Sequence, residues 1–180
     1  MDETVPVTAM RVADLDVTRP LLNYPVRESR SAQSIVDKAR IMQFVKSKAS
    51  PEGNKKTVLL DARSPERFVA KAPEPRPNLR GGHMPGAQNL FFMNLLSSSN
   101  IIRLKSPAEL KEEFAKVEIT DSSEKLEVIT TCGSGATACT LLAGLVECGL
   151  RPNLEESYLY DASWMEWGAD PNTPIVETDE

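Results

Sequence analysis

The chain has one histidine and three cysteines among its 180 residues, and neither type is placed as a metal or disulfide site requires. Cys132, Cys139 and Cys148 are odd in number and crowded together, with no Cys-x-x-Cys pair and His83 far upstream. That excludes a zinc site and the disulfide framework of a small secreted domain. Basic residues are scarce as well: 21 Lys and Arg against 26 Asp and Glu leave a net charge of -5. A chain that neutralises nucleic-acid phosphates needs clustered cations, and none are found here. No apolar run is long enough to span a bilayer, and the opening MDETVPVTAM has neither a basic start nor an apolar stretch after it. These absences predict a soluble protein of a reducing compartment, cytoplasmic or mitochondrial, that binds neither nucleic acid nor membrane and uses no metal or cofactor.

What is present suffices for one core, since 41% of the residues are hydrophobic. Prolines at 6, 20 and 25 and the lack of any period mark residues 1–30 as a lead-in or linker. SAQSIVDKARIMQFVKSKAS spaces Ile35, Val36, Ala39, Met42, Phe44 and Val45 as a helix capped at Ser31 or Ser34. TVLLD, after the turn-forming PEGNKK, reads as a buried strand, and SPERFVAK as a short helix entered through Pro65. APEPRPNLRGGHMPGA holds too many prolines and glycines for either element and is a long loop of the functional kind. SPAELKEEFAKV is a helix with Ser106 at its cap, Pro107 at its first position and Glu109 completing a capping box. LEVITTC is a second strand, GATACTLLAGLVECG a helix closing at Gly149, and SYLYD a third strand. Strands alternating with helices predict an α/β domain over residues 31–170 with a mostly parallel central sheet flanked by helices. Residues 171–180 read as a polar, loosely attached tail.

Cys132 opens the segment CGSGATAC directly after a predicted strand. A lone cysteine beside a strand is most often a small buried hydrophobe. The position favours chemistry, because ligands of parallel α/β sheets gather beyond the carboxyl ends of the strands. Gly133 and Gly135 let the backbone curl so that its N–H groups converge, and the following helix adds its positive end, which favours a thiolate and a bound anion. Cys139 and Cys148, both on the predicted helix, read as packing. Other loops of similar look are excluded residue by residue. No lysine follows the glycines as a phosphate-binding loop requires, Cys132 occupies the first glycine position of a Gly-x-Ser-x-Gly elbow, and Ala138 stands where a cysteine phosphatase carries its arginine.

The segments LLDARSPERF, APEPR, GHMPGAQNL, CGSGATA and YDASWMEWG together resemble the rhodanese family of sulfurtransferases, and in particular the catalytic, C-terminal domain of the mercaptopyruvate-specific members. The resemblance runs from about residue 55 to 168 and implies the rhodanese-like fold. It implies that Cys132 accepts a sulfur atom from 3-mercaptopyruvate as a persulfide, releases pyruvate, and passes the sulfur to cyanide or a thiol such as thioredoxin. Gly133, Ser134, Gly135, Ala136 and Thr137 would cradle the persulfide, with Ser134 bonding either the leaving group or its own backbone. Arg67 in ERF and Arg76 in PEPR would meet the substrate's carboxylate and keto group, while Asp61 and Arg63 would brace the loop. His83, Trp164 and Trp167 read as structural.

Members with this specificity usually carry an inactive rhodanese domain ahead of the catalytic one, and only about 30 residues precede the domain here, so the expectation is either a fragment or truncated form whose partner N-terminal rhodanese domain is missing, or a free-standing single domain with a more open site. A non-catalytic rhodanese module used for binding or regulation is therefore the alternative from another class. A thiosulfate-preferring enzyme is a further one, although those members carry Arg and Lys where this loop has Gly133 and Ser134.

Overall fold

The computed structural model describes residues 34–49, 56–98, 100–121 and 126–178. The lead-in over 1–30, the candidate cap Ser31 and most of the turn PEGNKK lie outside these. A five-stranded sheet is built from β1 (Ile35–Val36), β2 (Thr57–Asp61), β3 (Ala87–Asn89), β6 (Glu127–Thr131) and β7 (Ser157–Tyr160) in the order β1-β7-β6-β2-β3. Every pairing in it is parallel. A small antiparallel pair, β4 (Leu96–Ser97) with β5 (Asn100–Leu104), stands apart. The helices are α1 (Lys38–Ala49), α2 (Pro65–Phe68), α3 (Pro107–Ala115), α4 (Ala138–Glu147) and α5 (Ser163–Trp167).

The two-residue alternation of the strands decides which helix covers which face. Val58, Leu60 and Val128 point to one side and pack with Leu110 and Phe114 of α3 and Leu141 and Leu145 of α4. Leu59 and Ile129 point to the other and pack with Ile41 and Phe44 of α1 and with Trp164 and Trp167. Such near-continuous apolar strands are what a parallel sheet covered on both faces demands. At α3 the capping box is formed, with the Ser106 side chain accepting from Glu109 N–H and the Glu109 carboxylate accepting from Ser106 N–H. After α4 the chain reverses at Gly149, whose φ of +76° is the left-handed turn that favours glycine there.

Two expectations are corrected. Ile35 and Val36 do not continue the following helix but form the edge strand β1, in register with Leu159 and Tyr160. Both are β-branched, which favours the strand, and α1 starts afresh where the Asp37 carboxylate accepts from Arg40 N–H at 2.9 Å. The tail is not loose either. Val176 pairs antiparallel with His83, Thr173 is buried, and the Arg80 guanidinium donates to the carbonyls of Trp167, Gly168, Asp170 and Thr173. A polar stretch of this kind reads as detached because its partners lie about ninety residues upstream.

Candidate active site

In chain order β2 is followed by β3 on one side and later by β6 on the other, so the sheet's switch point lies between β2 and β6. Their last residues, Asp61 and Thr131, are register partners. The segments that leave these two strands, 62–68 and 132–137, therefore start side by side at the carboxyl edge, where an open α/β sheet offers a crevice.

Cys132 is 2% exposed and its Sγ lies 3.4 Å from the N–H of Ser134. Gly135 is buried at φ +81°, and a Cβ there would lie 2.5 Å from Asp161 Oδ1 and 2.8 Å from the Asp161 carbonyl oxygen, so only glycine fits. The loop's carbonyls are turned into the body of the domain: Trp164 N–H donates to Cys132 O at 3.0 Å and Met165 N–H to Gly133 O at 3.1 Å. Gly135 and Cys132 N–H both donate to the Ser163 hydroxyl. Among the described hydrogen bonds, the N–H groups of Gly133, Ala136 and Thr137 take no protein partner. A curl with free amides on one side and its carbonyls tied on the other is a receptor for a bound anion. Ser134 and Ala136 are exposed on its rim.

Beside the loop runs a ladder of alternating charge. Arg63, 1% exposed at its side chain, donates from Nε and Nη2 to the Asp61 carboxylate, from Nη1 to Glu74 Oε1 at 2.8 Å, and from Nη2 to the Gly82 carbonyl. Burial works against the Arg63 charge, yet Asp61 and Glu74 outweigh it and hold its pKa above the ordinary guanidinium value. The guanidinium also lies 4.2 Å over the Trp164 ring. Arg67 pairs with the other oxygen of Glu74 at 2.5 Å while keeping a quarter of its side chain exposed. Its Nη2 stands 3.1 Å from where a Cβ of Gly133 would be. Arg67 is thus brought to the loop, whereas Arg76 lies exposed in the 72–86 loop and enters none of the described hydrogen bonds or ion pairs.

His83 is buried, with Nδ1 2.9 Å from the Phe68 carbonyl oxygen and its ring stacked at 3.7 Å on Phe68. Trp164 and Trp167 are fully buried, their indole N–H groups donating to Arg80 O and Pro174 O. Cys139 is exposed and its thiol donates to Gly135 O at 3.5 Å; partial burial, then Cys132 and Asp161, push its pKa up. Glu74 and Ser163, which organise the site, escape sequence reasoning even though both lie inside quoted motifs. Nothing in composition or spacing separates a bridging carboxylate or a buried hydroxyl from its polar neighbours.

A profile of the rhodanese-like domain matches residues 46–170. The chain belongs to that family. It is 39% identical over 109 residues to the 3-mercaptopyruvate sulfurtransferase of Rattus norvegicus, covering 61% of this chain and 34% of that protein. It is 40% identical over 116 residues to thiosulfate/3-mercaptopyruvate sulfurtransferase 1, mitochondrial, of Arabidopsis thaliana, covering 64% of this chain and 28% of that one. The chain thus spans about a third of the length of these curated relatives. Among solved structures, the Tum1 protein from Saccharomyces cerevisiae aligns at a TM-score of 0.65 and 28% identity, over 83% of this chain and 48% of that one. No described helix is long and apolar enough to cross a membrane.

Proposed function

We propose that this rhodanese-family chain is a sulfurtransferase that takes sulfur from 3-mercaptopyruvate onto Cys132. The Cys132 thiolate attacks the donor's sulfur, an S–S bond forms, and the C–S bond breaks. The electron pair leaves on carbon as the enolate of pyruvate, which picks up a proton. Cyanide or an acceptor thiol then attacks the outer sulfur and returns Cys132 as a thiolate. The observation that carries this reading is the loop itself, in which a buried cysteine faces the Ser134 N–H beside the free amides of Gly133, Ala136 and Thr137. A binding module has no chemical need for that arrangement. Arg67, oriented by Glu74 and set against Gly133, supplies the cation for the donor's carboxylate. Arg76 would be a second cation if its exposed loop folds over bound donor. Mercaptopyruvate is favoured over thiosulfate because the loop carries no cation of its own. The three free cysteines suit a reducing compartment, cytosolic or mitochondrial.

Intact-mass spectrometry after mixing with 3-mercaptopyruvate tests the reading. The native chain should gain the mass of one sulfur atom, lose it on adding cyanide, and gain nothing as Cys132→Ser. An unmodified native chain overturns it.

A further inference from the structure

The hydroxyl of Ser163 is where the cysteine loop is tied to the body of the domain. Its side chain is fully buried, and Oγ donates to the Tyr160 carbonyl at 2.7 Å. It accepts from Gly135 N–H at 3.0 Å and Cys132 N–H at 3.2 Å, with the Thr131 hydroxyl also 3.2 Å away. Ser163 sits at φ +54°, a conformation that side-chain-bearing residues seldom adopt. Backbone strain of that kind persists only where the surroundings impose it.

The consequence for the loop is geometric. Two amides three residues apart, those of Cys132 and Gly135, converge on one oxygen, so Gly133 and Ser134 between them must arch away from it. That arch brings Ser134 N–H to 3.4 Å from Cys132 Sγ. Because Ser163 Oγ and the first amides of α5 take up the loop's inward groups, the amides of Gly133, Ala136 and Thr137 stay open. Without the hydroxyl, Cys132 N–H and Gly135 N–H would be buried with no acceptor, and the loop would rearrange to find one.

We infer that Ser163 is a positioning residue for Cys132. Through the two amides it accepts, it holds the curl that aims N–H groups at the thiolate and at the sulfur the thiolate receives. The inference rests on the sulfurtransferase reading for its catalytic consequence, but the geometry of the thiol can be probed without any sulfur donor.

The test uses the full chain as Ser163→Gly and Thr131→Val. Glycine accepts φ +54°, so Ser163→Gly deletes the hydroxyl while relieving the backbone, and thermal melting selects the variants that remain folded. Thr131→Val removes a different bond to the same oxygen and leaves both loop amides in place. The first readout is the second-order rate of Cys132 alkylation by iodoacetamide near neutral pH, resolved from Cys139 and Cys148 by peptide mass spectrometry. The second is the split between kcat and KM with 3-mercaptopyruvate and cyanide. Ser163→Gly should alkylate about tenfold more slowly and lose kcat by a similar factor, with KM within about twofold because Arg67 is untouched. Thr131→Val should match the native chain in both. A folded Ser163→Gly that alkylates at the native rate overturns the inference, as does a Thr131→Val that slows equally, since the hydroxyl would then be ordinary packing. A native chain that is inert toward mercaptopyruvate but shows the alkylation difference refutes the proposed function and leaves the role of Ser163 standing.

Discussion

Glu74 is the residue on which the charge balance beside the loop turns. Its carboxylate, 2% exposed at the side chain, is shared between the buried Arg63 and the partly exposed Arg67. A carboxylate so buried is tolerable only when paired, and pairing it with two cations leaves Arg67 with donors to spare for a ligand. Replacing either Arg67 or Arg76 by alanine should lower kcat/KM for mercaptopyruvate by a charge-assisted hydrogen bond's worth, about 1.5 to 3 kcal/mol or roughly 10- to 150-fold. The structure separates the two variants by stability. Arg67→Ala strips Glu74 of one partner and should lower Tm, whereas Arg76→Ala, exposed and outside the described ion pairs, should leave Tm unchanged. Kinetics and melting curves on both variants check this, and native kinetics in both would remove the two arginines from donor binding. The sequence could nominate these arginines because a motif carries them. It could not nominate Glu74, whose importance comes from being buried between two side chains that are eleven and seven residues away from it.

Among the elements, those written in local chemistry were legible. The capping box of α3 joins residues three apart, and β2 and β6 each hold short apolar stretches, Val58 to Leu60 and Val128 with Ile129, that read as strands. The strands β1 and β3, with two and three residues, exist only because a neighbouring strand pairs with them, and no window of sequence that short announces a strand. The loop over 132–137 was legible as a curl, yet its neighbours change what a substitution there would do. Thiosulfate is a dianion that approaches a thiolate, so added positive charge should favour it more than the singly charged mercaptopyruvate. Ser134 is exposed and can become lysine without a clash, while a side chain at Gly133 must push aside the guanidinium of Arg67. Ser134→Lys alone should therefore raise the thiosulfate-to-mercaptopyruvate ratio of kcat/KM with activity retained. Adding Gly133→Arg should raise the ratio further by costing mercaptopyruvate its Arg67 contact. A ratio that stays flat in both variants overturns the charge argument.

At the scale of the whole molecule, the chain's last described segment acts as a strap across the face that carries α1 and the two tryptophans. Arg80 gathers the carbonyls of Trp167, Gly168, Asp170 and Thr173, Val176 pairs with His83, and Lys38 at the start of α1 reaches Asp170 at 2.9 Å. Through His83 and its stack on Phe68 the strap touches the end of α2, and through Arg80 it touches the residues that follow α5. Arg67 of α2 stands beside Gly133 and the first amides of α5 bond the loop's carbonyls, so the strap contacts both elements that border the cysteine loop. Its one strongly shifted charge gives a pH signature. The Lys38 ammonium, and then the Asn172 N–H, hold the Asp170 carboxyl at about 2, below its ordinary value of 3.8. A depressed carboxylate stabilises the fold at pH above its unfolded value, and that contribution is lost as pH falls through the folded one. The tie should therefore act in full above pH 4 and vanish toward pH 2. Because both partners are partly exposed, the effect should be small and should shrink in high salt. Asp170→Asn is expected to melt slightly below the native chain at neutral pH and to converge with it as the acid limit is approached, in low-salt thermal scans at stepped pH. Arg80→Ala, whose lost bonds run to uncharged carbonyls, should instead melt lower by an amount that does not change over the same range. If the Asp170→Asn deficit persists undiminished at the acid limit, it does not come from the Lys38–Asp170 ion pair.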